Sequence, residues 1–289
     1  MKGFKSAYSL LEISIIILII GILISGVSNG IDLYQDYKIN IAKNLTQNSR
    51  VNRIEGLVLW LESSQKSSFE PNNISNNTRI TKWKNINPNI LPQDRKKYDP
   101  FICTWGTDVI YGPKFTENAI NSLPSLEFKN GEKSCLTLNT SPLEISKSMS
   151  LFLVFKNNND SQKPLFRHGI IAFSKFFQNN NIFSTNYLIA NTYKPTLYQF
   201  ILNDMISGKL YINKTNALIY QNSVQVGTFT PTGSLSVGGR FYIGSSYDNL
   251  IDNPEAFISE IIIFDRAINE SERIDVMNYL YQKWGLNLN

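Results

Sequence analysis

The chain has 289 residues, of which 42% are hydrophobic and 12% aromatic, and its formal net charge is +5. This length and composition fit one sizeable globular domain. The charge is scattered, and the longest basic cluster is at residues 95–97, which is too short for the concentrated basic face that nucleic-acid binding requires. A single histidine, His168, and the lack of a Cys-x-x-Cys pair argue against a metal site.

An apolar run occupies residues 10–27 and contains one acid, Glu12. A carboxylate at membrane depth costs at least about 3 kcal/mol unless it has a partner. A cut between Ala7 and Tyr8 would create an α-amino group that can pair with Glu12 of a neighbouring chain. Residues 10–30 form a helix of about 30 Å, which is long enough to cross a bilayer once.

This segment resembles the N-terminus of type IV pilins and pseudopilins, in which a short basic leader precedes an aromatic residue and an early glutamate. Lys2 and Lys5 correspond to the basic leader, and the departure is Ala7, where the family usually has glycine. The resemblance implies that a prepilin peptidase removes residues 1–7 and that the Tyr8 amine becomes methylated. It also implies that other pilin-like subunits are partners of this chain.

The basic leader also sets the predicted orientation. Lys2 and Lys5 keep the N-terminus in the cytoplasm, so residues 8–30 span the membrane and the rest of the chain faces outward. We therefore predict a single-pass protein of the bacterial inner membrane, with its C-terminal domain in the periplasm or on the cell surface or a filament. The alternatives are an uncleaved signal anchor and a cleaved secretory signal, whose apolar core usually has about 7–15 residues.

Residues 31–53 are predicted to continue the helix outward to about Asn48 and then to form a linker. Apolar side chains recur there at three- and four-residue spacing, as one stripe of an amphipathic helix. The members of this stripe are Ile31, Leu33, Tyr34, Tyr37, Ile41 and Leu45. The resemblance to pilins implies that the helix packs against a globular head, and a polar stalk helix is the alternative.

From residue 54 onward, short apolar or alternating segments are separated by Gly, Pro, Asn and Ser. Many short strands without intervening helices predict an antiparallel β-sandwich. Asn222-Ser223 is placed as the turn of a tight hairpin. The exception is the C-terminus, where Asn269 and Glu272 form a capping-box pattern and Gly285 ends an amphipathic helix.

Several of these segments resemble the laminin-G-like, concanavalin-A-like domains of bacterial surface proteins. They are residues 56–61, 80–83, 124–128, 257–268, 271–273, 279–280 and 283–285. The resemblance implies that residues 54–289 form a jelly-roll β-sandwich. Residues 98–112 depart from the family because they have no counterpart in its pattern.

Catalysis is not predicted. Related jelly-roll glycosidases carry two carboxylates two or four residues apart on one strand, so that both face the substrate. Glu260 and Asp265 are five apart, which places them on opposite faces of a regular strand. A serine nucleophile is also not predicted, because the single histidine, His168, has no evident partner.

Recognition of a glycan or a protein is the predicted role of the sandwich, and Tyr98, Trp105 and Tyr111 are the candidate ligand contacts. Aromatic rings stack on the apolar faces of sugars, although these three side chains would equally suit core packing under a long loop. The remaining tryptophans fall on framework segments and are predicted to lie in the core. They are Trp60, Trp83 and Trp284.

No cofactor is predicted. One polar cluster offers hard oxygen ligands that suit Ca²⁺, and it equally suits a polar turn. Its members are Asp248, Asn249, Asp252 and Asn253. Cys103 and Cys135, the only cysteines, could form a disulfide outside the cytoplasm or remain as two buried thiols.

The sequence thus predicts a non-catalytic pilin-like or pseudopilin-like envelope protein whose β-sandwich head recognises a glycan or a protein. An uncleaved, membrane-anchored surface adhesin is the first alternative, and an anchored glycoside hydrolase is the second.

Overall fold

The structure, a computed structural model, describes residues 9–104, 111–129, 131–138, 148–157, 166–168, 171–173, 183–184, 194–202, 217–229, 241–244 and 255–286. Within these ranges the chain is mainly β, with a long helix α1 (Leu10–Asn48) before the strands and a short helix α2 (Glu270–Trp284) after them. The predicted fold class, an antiparallel β-sandwich between a long N-terminal and a short C-terminal helix, is confirmed.

The strands fall into two sheets and are numbered in chain order. They are β1 (Leu57–Glu62), β2 (Phe69–Glu70), β3 (Lys82–Trp83), β4 (Phe101–Ile102), β5 (Lys114–Ile120), β6 (Leu123–Phe128), β7 (Leu136–Leu138), β8 (Met149–Asn157), β9 (Phe166–His168), β10 (Ile171–Phe173), β11 (Phe183–Ser184), β12 (Thr196–Leu202), β13 (Ala217–Gln221), β14 (Val224–Phe229), β15 (Phe241–Ile243) and β16 (Ala256–Phe264).

One sheet, the helix-side sheet, has the order β14-β13-β12-β8-β16-β6-β5, and β1 also pairs with β16. The other, the outer sheet, has the order β11-β10-β9-β15-β7-β4-β3-β2. Among the described strands, neighbours are antiparallel except for β10 and β11. The last strand, β16, is central because β8 pairs with one of its edges while β6 and β1 share the other.

The helix-side sheet is buried on both faces, which explains the continuous apolar runs in its central strands. In β16, Ile261 and Ile263 join the core between the two sheets. Ile262 and Phe264 point the opposite way, into a second core under the two helices. The head therefore has three layers, namely helices, helix-side sheet and outer sheet.

Local signals set the boundaries of both helices. Ser9 caps α1 and Asn269 caps α2, and each helix begins with a capping box that a glutamate three residues later completes. Gly285 adopts the left-handed conformation, with φ of 58°, and ends α2. The predicted hairpin at Asn222-Ser223 is also present, between β13 and β14.

The predicted stripe of α1 packs on the head only in part. Ile31, Leu33, Tyr34 and Tyr37 are 52–70% exposed, so the first part of the stripe does not pack on the head. Contact with the head begins at Gln35, which accepts a hydrogen bond from Asn118, and it includes Leu45 of the stripe. The contacting apolar residues are Ile39, Ala42 and Leu45.

Candidate functional site

The N-terminal end of α1 places the Glu12 carboxylate next to the backbone of Ser9. The Ser9 amide donates to Glu12 Oε2 at 2.8 Å, and the Glu12 amide donates to Ser9 Oγ at 3.3 Å. A carboxylate in this position also interacts favourably with the positive end of the helix dipole. Glu12 is thus held against Ser9 at the first turn of α1, and Ala7 and Tyr8 lie outside the described residues.

The first half of α1 is apolar and uncovered. In the part of the chain that the structure describes, α1 is the one helix that is long and apolar enough to cross a membrane. Its most apolar stretch has a mean hydropathy of 2.8, and no part of that stretch is buried. A signal sequence near an N-terminus has the same length and composition.

A cluster of buried charges lies where α2 covers the helix-side sheet. Glu62 at the end of β1 faces Glu260 directly across the β1–β16 pair. Lys283 reaches between them from α2, with its Nζ 3.0 Å from Glu62 Oε2 and 2.9 Å from Glu260 Oε2. The side chains of all three residues are 0% exposed. Two like charges opposite each other would destabilise the sheet, and the ammonium group offsets this repulsion.

Neutral donors complete the coordination of Glu260. The indole N–H groups of Trp60 and Trp284 each donate to its carboxylate at 2.7 Å, and so does the hydroxyl of Tyr279. Tyr279 also lies 3.1 Å from Thr46 Oγ1, which is on α1. The cluster therefore connects both helices to the sheet.

Glu62 is held in the same way. Its carboxylate accepts hydrogen bonds from the Ser68 hydroxyl at 2.9 Å and from both the backbone and the hydroxyl of Ser64. Burial alone would raise the pKa of Glu62, but Lys283 and the two serines outweigh burial and lower the pKa below its usual value. The pKa of Lys283 is raised above its usual value. Burial lowers this pKa, but the two carboxylates raise it to a greater extent.

Sequence reasoning placed Trp60, Trp83 and Trp284 in the core, and all three are buried. It missed Glu62 and Lys283. One signal was present, since Lys283 interrupts the apolar face of α2 beside Leu280 and Trp284. The neighbouring Asp265 is exposed while Glu260 is buried, so these two acids do not form a pair facing one groove.

A second group of charges surrounds the exposed ring of Tyr111, and we call Tyr111, Arg79, Lys114 and Glu132 the Tyr111 platform. The Arg79 guanidinium lies over the Tyr111 ring, 4.8 Å from the ring centroid. Tyr111 itself is 47% exposed. Arg79 donates to Glu132 Oε2 at 2.6 Å, and Lys114 donates to Glu132 Oε1 at 2.9 Å. The hydrogen bond from Lys114 is the main reason why the pKa of Glu132 is lowered.

The backbone of Tyr111 is held on both sides. Its amide donates to the Lys133 carbonyl at 3.2 Å, and its carbonyl accepts from the Cys135 amide at 3.1 Å. Cys135 forms a disulfide with Cys103, and their two Cα atoms are 5.5 Å apart. Of the two alternatives that the sequence left open, the structure thus contains the disulfide and not two buried thiols. Gly112 is required next to Tyr111 because a Cβ there would overlap the Ile80 carbonyl.

Of the three aromatic candidates, Tyr111 is the exposed one that the structure describes. Tyr98 is half-buried at the end of a short 3-10 helix (Arg95–Tyr98), and Trp105 lies outside the described residues. The groups that surround Tyr111 come from three other segments, and no local pattern in the sequence indicates them. The polar cluster considered for Ca²⁺, at residues 248–253, also lies outside the described residues.

Comparisons with known proteins show similarity at the level of the fold. No protein-family model and no curated protein matches the chain. Trypanosoma rangeli sialidase in complex with sialic acid is similar with a TM-score of 0.39 and 14% identity, over 79% of this chain and 33% of the sialidase. The chain therefore spans about a third of the length of that protein.

Two single domains are similar as well. The binding domain of Paraclostridial Mosquitocidal Protein 1 has a TM-score of 0.47 and 12% identity, over 81% of this chain and 56% of that domain. Domain 4 of AbnA, a GH43 extracellular arabinanase from Geobacillus stearothermophilus, in complex with arabinotriose, has a TM-score of 0.43 and 14% identity, over 71% of this chain and 99% of that domain. Similarities this distant assign no activity or ligand to this chain.

Proposed function

We propose that this chain is a non-catalytic, pilin-like envelope protein, anchored by α1 and assembled with other pilin-like subunits, whose β-sandwich head recognises a glycan or a protein. The observation that carries the proposal is the continuity of α1. One helix of 39 residues begins at a capping box around Glu12, passes through an exposed apolar half and ends docked on the head. The head is thereby held at a fixed position relative to the membrane-spanning segment.

Two features favour a pilin-like subunit over a simple anchor. In a simple anchor the Glu12 carboxylate would only cap α1, whereas in an assembly it can also pair with the terminal amine of a neighbouring subunit. The exposed stripe beyond the apolar run, which includes Leu33 and Tyr37, is also unexplained in a monomer. Exposed apolar side chains on one helix favour packing against the helices of other subunits.

The proposed role of the head as a recognition domain is supported by how two of its carboxylates are used. Glu62 and Glu260 are buried, and hydrogen bonds from protein donors surround both of them. A glycosidase needs a pair of carboxylates that a substrate can reach. The exposed aromatic and charged groups of the Tyr111 platform suit binding rather than bond cleavage.

The mature N-terminus tests the proposal. The full chain should be expressed in bacteria with a prepilin peptidase, and the membrane-bound protein should be analysed by intact mass and N-terminal peptide mass. We expect the chain to begin at Tyr8 with a methylated amine, and to keep residues 1–7 in cells that lack the peptidase. An Ala7→Gly variant, which has the residue usual in pilins, controls for slow cleavage.

If both the wild type and Ala7→Gly keep Met1 in cells with the peptidase, the pilin-like assignment is wrong. The uncleaved surface adhesin then replaces it. A cut after the apolar run, which would release the head from the membrane, contradicts both assignments.

A further inference from the structure

We propose that the Tyr111 platform binds an acidic saccharide, meaning a sugar that carries a carboxylate or a sulfate group. This inference rests on the proposed recognition role of the head and names the class of ligand and the site. The platform lies at the end of residues 98–112, the segment that has no counterpart in the laminin-G-like pattern.

The first argument is that the ring of Tyr111 is exposed and preorganised. The Arg79 guanidinium covers part of the ring by stacking on it, while 47% of the residue remains accessible. The backbone of Tyr111 is bonded to the segment at 133–135, and the disulfide from Cys135 braces that segment. A ring fixed in this way loses little conformational entropy when the apolar face of a pyranose stacks on it.

The second argument is the charge around the ring. Arg79 and Lys114 together carry two positive charges, and both donate to the single carboxylate of Glu132, so these three groups have a net charge of +1. Their side chains are 33%, 26% and 25% exposed, which leaves each of them accessible from solution. One carboxylate or sulfate on the sugar would neutralise the excess charge.

The hydrogen bonds of Arg79 and Lys114 allow an anion to bind without breaking the existing contacts. Arg79 uses one amino group for Glu132 and the other for the Gly112 carbonyl, at 3.0 Å. Lys114 has three N–H donors, and its bond to Glu132 uses one of them. A ligand anion can therefore be bound by Lys114 while Glu132 accepts a hydrogen bond from a sugar hydroxyl.

A saccharide fits this surface better than a protein does. Although tyrosine and arginine are common at the centre of a protein–protein interface, lysine and glutamate are depleted there, and Lys114 and Glu132 are half of this site. The described groups around Tyr111 are charged and surround one aromatic ring, which matches the size and the alternating polar and apolar character of a single sugar unit.

The experiment measures binding of acidic oligosaccharides to the full chain in detergent micelles by isothermal titration calorimetry. The probes are oligogalacturonate, a hyaluronan oligosaccharide and a sulfated carrageenan oligosaccharide, which separate carboxylate from sulfate ligands. Each probe is compared with its methyl-esterified or desulfated form. We expect at least one acidic probe to bind about tenfold more tightly than its neutral form, and to bind more weakly at high ionic strength.

Variants locate the site. Tyr111→Ala should weaken binding of the acidic probe about tenfold through loss of stacking. Lys114→Gln should reduce the affinity for the acidic probe by about tenfold and leave its neutral form unaffected. Tyr37→Ala and Lys97→Gln are matched controls, because each removes an exposed side chain of the same type elsewhere, and neither should change binding. Thermal unfolding of each variant shows whether the fold is intact.

Equal affinity for acidic and neutral forms, or full affinity in a folded Tyr111→Ala variant, would overturn this inference and leave recognition of a glycan by the head in place. If no saccharide binds, or if a polyglutamate peptide binds instead, the inference is also overturned, and a protein becomes the ligand to seek. None of these outcomes affects the analysis of the mature N-terminus, so the two proposals fail separately.

Discussion

At the scale of single residues, Lys283 decides whether the charges under the helices are balanced. Its Nζ lies within 3.0 Å of both Glu62 and Glu260, and no part of these side chains reaches water. An ion pair in such a place contributes little net stability relative to apolar residues, because desolvation opposes the attraction between the charges. Removing one partner is different, because the remaining charges stay buried without compensation.

We therefore expect Lys283→Met to lower the free energy of unfolding by about 3–5 kcal/mol. Methionine keeps most of the length of the side chain, so the effect would come from the lost ammonium group rather than from a cavity. Urea unfolding of the full chain in detergent, followed by tryptophan fluorescence, measures the change. The control is Lys97→Met, which removes an exposed lysine and should leave the free energy of unfolding nearly unchanged. A similar loss in both variants would contradict the role of the cluster.

The pKa shifts in the same cluster predict how stability depends on pH. The pKa of Glu62 is lower in the folded protein than its usual 4.5, so its contribution is present above pH 4.5 and is lost as the pH falls through the folded-state value. The pKa of Lys283 is raised above 10.5, so its contribution is present below pH 10.5 and is lost as the pH rises through the folded-state value.

We expect the free energy of unfolding to be constant between these two pH limits and to fall on the acidic side. In the Glu62→Gln variant this acidic fall should be shallower. Unfolding of the wild type and of Glu62→Gln is measured from pH 3 to pH 7, which is about one to two units on each side of the usual glutamate value. Acids outside the cluster, such as Asp99 with its raised pKa, contribute equally to both curves and cancel in the difference. Parallel curves would show that Glu62 is not held as the structure indicates.

The sequence predicts such residues poorly because the relevant contacts are distant in the chain. Trp60 and Trp284 could be assigned to the core from their type and their apolar neighbours. Glu62 and Glu260 could not be paired, because their contact depends on the order of strands in the sheet. The same limit applies to Arg79 and Glu132, which approach Tyr111 from separate segments.

At the scale of elements, local signals explain what could be predicted. A capping box depends on two residues three positions apart, so the sequence alone predicts the beginning of α2 from Asn269 and Glu272. The hairpin at Asn222-Ser223 is equally local, since Asn222 tolerates its positive φ of 55°. The burial of α1 is not local, because periodicity identifies an apolar stripe without showing which layer covers it.

The last turns of α1 belong to the head, which changes how the chain can be divided. Ala42 and Val51 are each 1% exposed in the second core, and Thr46 contacts Tyr279 in the buried cluster. A division at residue 53 therefore removes part of the core, whereas a division at residue 30 removes only the exposed apolar segment.

We expect a fragment of residues 31–289 to be soluble and rich in β-structure, and a fragment of residues 54–289 to be less stable by about 3 kcal/mol. For a domain of this size that difference lowers the melting temperature by about 6–12 °C. Circular dichroism melting of both fragments under the same conditions measures it. Equal melting temperatures would mean that α1 is merely appended to the sandwich.

At the scale of the whole molecule, the two halves of α1 have different surroundings. The N-terminal half, which is long and apolar enough to cross a membrane, has an exposed apolar segment, and the last turns of the C-terminal half pack on the head. In an isolated molecule in a bilayer, lipid would cover the apolar half, and the Glu12 carboxylate would be bonded only to the Ser9 amide of its own helix. In the proposed assembly, the terminal amine of a neighbouring subunit would pair with Glu12, and neighbouring helices would cover the exposed apolar side chains at residues 31–37.

Glu12→Gln tests whether this assembly takes place. The substitution removes a costly charge from the apolar run, so membrane insertion should be unchanged or improved. Crosslinking to other pilin-like subunits should nevertheless fall by about tenfold or more, because the terminal amine of a neighbour loses its partner at low dielectric. Glu55→Gln is the control, since it removes one exposed acid that lies outside α1 and should leave crosslinking intact. A simple anchor predicts a different result, in which Glu12→Gln and Glu55→Gln insert and crosslink like the wild type. In that case Glu12 serves only to cap α1, and the chain is better described as a surface adhesin that does not polymerise.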